Sequence, residues 1–490
     1  MRSDSFFACH STARQLFLAL LLIVCLPPSS QNSTAQESAG AAHQLALRNI
    51  NIVDVRSGKI LRERTVFIAS AEASLSRISS IAPSSAAKIP ANSRVIDAHG
   101  LYLIPGLWDM HVHLAFGDWF PGAARITLPL LVANGVTGVR DMGSDFEVVS
   151  EWRAQIAKGQ LVGPRIYTSG PMLDGPKPRF PSSVAVATPA DGRRAVDDLK
   201  SQGVDFVKLQ SLIPRDAVFA IAEEAHKEQI AFLGHVPDSV RASEMSNAGQ
   251  KSFEHLIGIF EGSSPLENEF LKGNKSATRF LASFDPARFA KLAALLAKNH
   301  TWQCPTLVWE RGGNLLDQTD FASDTRIKYV PASWNDVTWK RFVGEIKESY
   351  ATDNLETRKL FLEKELEIVQ QLHRAGVPFL AGTDTPPGVY IFPGFSLHEE
   401  LQRFAAAGFS PLEALQTATL NPARFFGIEA DYGAVETGKA ADLVLLTANP
   451  LEDISNTQKI AAVIRNGSYY SRADLDQLLA SVQSAARNQH

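Results

Sequence analysis

The chain has 490 residues, 45% hydrophobic and 20% charged, an ordinary globular composition. A formal net charge of −4, with acidic and basic residues intermixed, excludes the basic footprint of a nucleic-acid binder. The length exceeds one typical core, so a large domain and a smaller one are expected.

Near the start, Arg2 and Arg14 precede an apolar run over residues 16–26, too short to span a bilayer comfortably. Ser33-Thr34-Ala35 then offers the small residues that a signal peptidase accepts. Residues 1–35 are therefore read as a signal peptide cleaved near Ala35. The short run disfavours a retained anchor, and Val24 in front of Cys25 disfavours a lipid anchor. Cys9 and Cys25 lie in this segment, leaving Cys304 alone in the mature chain with no internal disulfide. Export without disulfides points to a bacterial periplasm.

Residues 36–43 read as a short lead. Residues 45–55 alternate apolar and polar side chains as a half-buried strand does, and 65–68 and 94–97 are further short strands. An apolar run over 101–107 leads into Asp109-Met110-His111-Val112-His113. From there strands and helices alternate. Strands are predicted at 136–141, 165–169, 204–209, 230–235, 252–255, 302–307 and 378–384. Helices are predicted at 125–134, 146–158, 191–202, 215–228, 239–248, 286–298, 356–375 and 397–407. Counted from Leu103, these make about eight βα units, the number that closes a TIM barrel.

Residues 309–354 exceed a normal connection and carry Trp334, Trp339, Phe342 and Tyr350. They read as an insertion over the active-site face, either a lid or a helical decoration on the barrel side. Strand character returns at 442–446 and 460–466. The expected fold is thus an α/β protein: a (β/α)8 TIM barrel over 103–428, with a small β-sandwich built from 36–102 and 429–475 and a tail over 476–490.

In such a barrel the chemistry sits at the C-terminal ends of the strands. Residues i and i+2 of a strand share a face, so His111 and His113 project together as half of a metal site. Lys208 falls near the end of strand 4, His235 at the end of strand 5, His255 of strand 6 and Asp384 of strand 8. Singly, each has a plain structural reading: a satisfied core histidine, a salt-bridged lysine, an aspartate capping a turn. Six such residues at one end of one barrel point to a metal-dependent site.

This set resembles the amidohydrolase superfamily. Gly106-Leu-Trp-Asp-Met-His-Val-His113 is similar to its first-strand signature, and Gly382-Thr-Asp-Thr385 to its strand 8 motif. Gly135-Val-Thr-Gly-Val-Arg-Asp-Met-Gly143 is similar to the strand 2 motif of the prolidase and imidazolonepropionase-related branch. Within that branch the chain looks like a metal-dependent dipeptidase or an ochratoxinase-like amidase. The resemblance implies that His111, His113 and Asp384 bind one divalent ion and His235 and His255 a second. It implies that Lys208 bridges both as a carbamate formed with carbon dioxide. Zinc suits these ligands, and manganese or cobalt could occupy such a site. A hydroxide bridging the ions would attack a peptide or amide carbonyl of a dipeptide or N-acyl amino acid, and Asp384 would carry its proton to the leaving nitrogen.

Lys177 and Arg179, after strand 3, are candidates to hold a product carboxylate, and Gln210 stands where relatives often carry a tyrosine. Arg140 and His398 read as structural. A mononuclear deaminase or cyclic-amide hydrolase is a second reading, with His255 as an acid–base group; Lys208 opposes it, since one ion needs no bridge. A non-catalytic binding protein on the same fold is a third, opposed by the intact ligand set. The expected partner is a small-molecule amide or peptide, with no nucleic acid and no membrane insertion of the mature chain. A homo-oligomer is expected.

Overall fold

The computed structural model describes residues 44–69, 75–318, 320, 323–349 and 351–489. The predicted signal peptide with Cys25, the lead over 36–43 and Tyr350 lie outside the described residues. Five strands precede the first histidine: β1 (Gln44–Val53), β2 (Ile60–Ala69), β3 (Arg77–Pro83), β4 (Arg94–Asp97) and β5 (Tyr102–Pro105). β1 pairs antiparallel with β2, and β2 with β3. On its other side β1 runs parallel first to β4 and then to β5. Leu45, Leu47, Ile50 and Ile52 of β1 face a small apolar core with Val66, Ile68 and Leu103. The inward parity changes between Leu47 and Ile50 because the register shifts there around Asn49, held at φ 64°.

The chain leaves this sheet at Gly106. Its N–H bonds the Asp442 carbonyl at 2.8 Å, whereas the next N–H, of Leu107, bonds Gly135 at 3.0 Å. A Cβ on Gly106 would lie 2.0 Å from Thr137 Oγ1, so the crossing requires glycine. The first strand of the large domain is therefore β6 (Leu107–Val112). It does not begin at Leu103, which β5 commits to the other sheet.

β6, β7 (Val136–Asp141) and β8 (Arg165–Thr168) form one parallel sheet. A second contains β9 (Met172–Asp174), β10 (Ser183–Ala185), β11 (Val207–Leu209), β12 (Phe232–Gly234), β13 (Ser252–Glu254) and β14 (Trp302–Cys304), in the order β10-β9-β11-β12-β13-β14. β8 and β9 are two halves of one stretch, separated by Ser169-Gly170-Pro171, where Gly170 takes φ 59° and Pro171 has no N–H to give. The predicted last strand, 378–384, appears as parallel bridges, Gln303 to Phe379 on one side and Thr385 to Val112 on the other. Asp109 clamps it to β6, accepting from Thr383 N at 3.0 Å and Oγ1 at 2.7 Å. The result is a TIM-barrel-type α/β arrangement with an extra β domain. The helices begin at the caps the sequence supplies: Asp145, Thr188 with Asp191, Asp285 and Asn354.

β15 (Leu443–Leu446), β16 (Ile460–Arg465) and β17 (Ser468–Ser471) bring the end of the chain back to its beginning. β15 pairs antiparallel with β5, so both terminal segments share one eight-stranded sheet. The predicted tail is the helix Arg472–Arg487, capped by Ser471. In the insertion, Trp334 and Trp339 are fully buried against Phe116, Phe120 and Phe392. Their indole N–H groups donate to the Pro121 carbonyl at 3.0 Å and the Pro386 carbonyl at 2.9 Å. The insertion is thus tied to the loops that follow β6 and the 379–385 segment. Among the described residues, no helix is long and apolar enough to cross a membrane.

Candidate metal centre

The parallel strands bring the six predicted residues together, with His111, His113 and Lys208 buried and His235, His255 and Asp384 half-buried. The Nε2 atoms of His111 and His113 lie 3.4 and 3.2 Å from Asp384 Oδ1. Ring centres are 5.5 Å apart for His111 and His113, 4.7 Å for His111 and His255, and 5.0 Å for His235 and His255. One ligand atom each from His111, His255 and Asp384 falls within 4.8 Å of the others. His255 and Asp384 both sit in the left-handed region, at φ 60° and 61°. Non-glycine residues rarely stay there unless their surroundings hold them.

Every one of the four imidazoles has its Nδ1 engaged. His111 Nδ1 meets Glu254 Oε2 at 3.0 Å and His113 Nδ1 the Gly143 carbonyl at 2.9 Å. His235 Nδ1 meets Ser211 Oγ at 2.8 Å, and His255 Nδ1 meets Thr306 Oγ1 at 2.6 Å. A carboxylate and a carbonyl only accept, so His111 and His113 carry the proton on Nδ1 and keep the Nε2 lone pair. Burial holds His111 and His235 well below the ordinary histidine range and His255 down to about 4, so these rings stay neutral, the form that binds a metal.

Behind His111 stands a group that pattern reading left out. Glu254, fully buried, accepts from Arg140 Nη2 at 2.8 Å and from Ser252 Oγ at 2.6 Å. Arg140 also donates to Ser252 Oγ at 2.8 Å and to the Met110 carbonyl at 2.5 Å. The signal was present: Ser252 and Glu254 share a strand face, two residues apart, and Arg140 ends β7. Glu254, His111 and Cys304 also lie close enough to suggest a second cluster of ligands. The Arg140 guanidinium already fills the cation's place there, and burial pushes the Cys304 thiol well up.

Lys208 is 0% exposed, and its Nζ has no hydrogen-bond partner among the described residues. Burial lowers its ammonium to about 8, against the pull of Glu254 and Asp384. A buried nitrogen without partners, facing neutral imidazoles, fits a group that is completed by something the protein binds. The donor set of imidazoles, one carboxylate and this lysine fits divalent ions of the zinc type.

A cavity of about 430 Å³ opens from the centre. Its apolar walls include Phe116, Phe180, Leu212, Ile257 and Trp309. Gln210 and Arg179 line it, with Gln210 Nε2 turned to Met172 Sδ at 3.2 Å; Lys177 is exposed and is not part of the lining. Glu310 lines it too, and burial, with the charge of Asp384, pushes its carboxyl up to about 8. Glu310 falls in the expected 309–354 insertion; in the structure it sits on the helix Leu307–Asn314, which follows β14 after two residues and starts at a position where strand is expected. Thr306 turns the chain at φ 49°, and Glu400 holds the turn by accepting from Leu307 N at 3.0 Å and Val308 N at 2.9 Å. His398, two residues earlier, is buried between Thr457 and Asn134 and takes no part in the centre.

A fold of this type with such a centre defines a metal-dependent hydrolase. The chain belongs to the amidohydrolase family, whose model matches residues 102–469. It is 27% identical over 392 residues to the ochratoxinase of Aspergillus niger, covering 74% of this chain and 73% of that one. A Bifidobacterium longum protein assigned as a prolidase superposes with a TM-score of 0.63 at 28% identity, over 90% of this chain and 99% of that one. Bottromycin amidohydrolase shares the fold, with a TM-score of 0.67 at 22% identity over 90% of each chain. The chain is a hydrolase of C–N bonds in the prolidase and ochratoxinase-like branch. The family generally uses divalent metals and acts on small molecules.

Proposed function

We propose that this protein is an exported binuclear amidohydrolase, built on a closed (β/α)8 barrel, that cleaves the peptide or amide bond of a dipeptide or N-acyl amino acid. The observation that carries it is the arrangement around Lys208: four imidazoles tied through Nδ1, next to one buried amine without a partner. His111, His113 and Asp384 would hold one ion, His235 and His255 the other, with Lys208 between them as its carbamate. Two divalent ions, zinc in the first instance, supply a water of lowered pKa and a Lewis acid for the scissile carbonyl.

The chain's own groups do the rest. Asp384, 3.2 Å from His113 Nε2, takes the proton of the attacking water and returns it to the leaving nitrogen. The Nδ1 partners fix each ring, so that no reorientation is needed as charge develops. The apolar walls exclude bulk water, and the cavity is of the size that encloses a dipeptide-sized molecule. Arg179, exposed in the cavity lining, would exchange its partner Glu345 for a product carboxylate.

Metal analysis of the purified chain, with a screen of dipeptides and N-acyl amino acids, tests this. Two ions per chain and amide hydrolysis are expected. One tightly bound ion with deamination and no amide cleavage would replace it with the mononuclear reading, which the compact set of His111, His255 and Asp384 would serve. Export predicts a mature N-terminus just after Ala35, read by N-terminal sequencing.

A further inference from the structure

Four charged side chains besides Asp384 line the cavity: Asp174, Arg179, Asp238 and Glu310. Three already have partners. Asp174 accepts from the backbone N–H groups of Gly175 at 2.8 Å, Leu212 at 3.1 Å and Arg179 at 3.3 Å. Asp238 pairs with Lys275 at 2.8 Å. Arg179 pairs with Glu345 of the insertion and lies over the Phe180 ring.

Glu310 differs. Its carboxylate has no hydrogen bond and no ion pair among the described residues. It stands half-buried in the cavity wall next to Trp309, whose ring centre is 6.1 Å from that of His255. Its ionisable neighbours, Asp384 and Glu365, are carboxylates as well. The ionised form is costly in such a place, so without a cation the carboxyl keeps its proton, and a cation beside it would draw out the carboxylate. Nor is its position accidental: Glu400 and Thr306 fix the turn that aims it into the cavity.

We infer that Glu310 is a specificity residue that receives the free α-ammonium of a dipeptide's first residue, so that the substrate is a dipeptide and not an N-acyl amino acid. This rests on the amide-hydrolase reading above and narrows it. An ammonium sits one carbon from the scissile carbonyl, and Glu310 lines the same cavity as Asp384 and feels its charge. The first side chain then meets Trp309 and Phe116, which favours an apolar or aromatic residue there.

The test compares two molecules with the same scissile bond, phenylalanyl-alanine and 3-phenylpropionyl-alanine, which lacks only the ammonium. The metal-loaded wild type is expected to prefer the first by at least about tenfold in kcat/KM, the effect of one charge-assisted hydrogen bond. Glu310→Gln is expected to lower kcat/KM for phenylalanyl-alanine by about tenfold to a hundredfold and to change that for 3-phenylpropionyl-alanine far less, so that the wild-type preference collapses. An equal loss on both molecules, or a wild type without the preference, overturns the assignment while amide hydrolysis stands. If neither molecule is cleaved, the amide-hydrolase reading fails for these compounds, and calorimetric binding of phenylalanyl-alanine decides about Glu310. Weaker binding by Glu310→Gln then supports it; equal binding overturns it.

Discussion

Arg140 and Glu254 form an ion pair of 2.8 Å in which neither side chain reaches solvent. Burying two charges is unfavourable unless their remaining hydrogen-bonding capacity is filled. Here Ser252, the Met110 carbonyl and His111 fill it, so the pair has become the rear support of an expected metal ligand. Glu254→Gln is expected to weaken metal binding about tenfold to a hundredfold, the usual effect of losing a carboxylate behind a ligating histidine. Glu254→Ala would also leave the guanidinium unpaired and cost about 3–5 kcal/mol in denaturant unfolding. Unchanged metal affinity in a competition titration of Glu254→Gln would remove this role.

If Lys208 completes the centre as a carbamate, as proposed, assembly depends on pH in a definite direction. Carbon dioxide adds to a free amine, not to an ammonium. With the group at about 8, the free-amine fraction of the metal-free protein rises from about a tenth at pH 7 to about nine tenths at pH 9. At fixed dissolved carbon dioxide, the rate of reactivation by added metal should climb over this interval. Lys208→Met should bind one ion and show no dependence on carbon dioxide. A flat reactivation profile in the wild type would count against the carbamate.

Gly382 is the contact point between the last parallel segment and β6. A Cβ there would lie 2.6 Å from Cys304 Sγ and 2.8 Å from both Cβ and N of His111. Gly382→Ala should therefore displace His111, lowering metal content as well as stability, the latter by about 1–3 kcal/mol. Adding Cys304→Ala should restore only part of the loss, because the clash with His111 remains. Full recovery in the double variant, by metal analysis and thermal melting, would locate the strain at the thiol alone.

His398 gives a stability effect separate from the centre. Burial holds it at about 4 in the folded chain, against an ordinary 6.5. Between these values the unfolded chain binds the extra proton, so the contribution is complete above about pH 6.5 and is lost as pH falls toward 4. Over the whole interval this amounts to about 3 kcal/mol. The stability difference between wild type and His398→Gln should shrink by that order from pH 7 to pH 4. A pH-independent difference in denaturant midpoints would refute the linkage.

The expected ligands were legible because each stands at or near the end of a short predicted strand, where a polar residue signals the strand's exit. Strands two residues apart in phase, as at His111 and His113, carry their own geometry. Glu254 was not legible in the same way: it precedes His255, and alternation turns the two side chains to different surroundings. Glu310 was hidden because strand is expected over 302–307 and an insertion from 309, whereas the chain turns at Thr306 and a helix begins at Leu307. The segment 256–285 holds three short helices, Ile259–Gly262, Glu267–Phe270 and Ala277–Ser283, too brief for a 3.6-residue period to emerge. The eight-stranded sheet draws on both ends of the chain, and only its strands, not their pairing, leave a mark in local pattern.

That pairing bears on the order of events during synthesis. β5 is made early, yet its partner β15 begins at Leu443, more than 300 residues later. Until then the apolar β5, with Leu103 and Ile104 destined for full burial, presents an open edge. Closure of this sheet can therefore only be one of the last steps of folding.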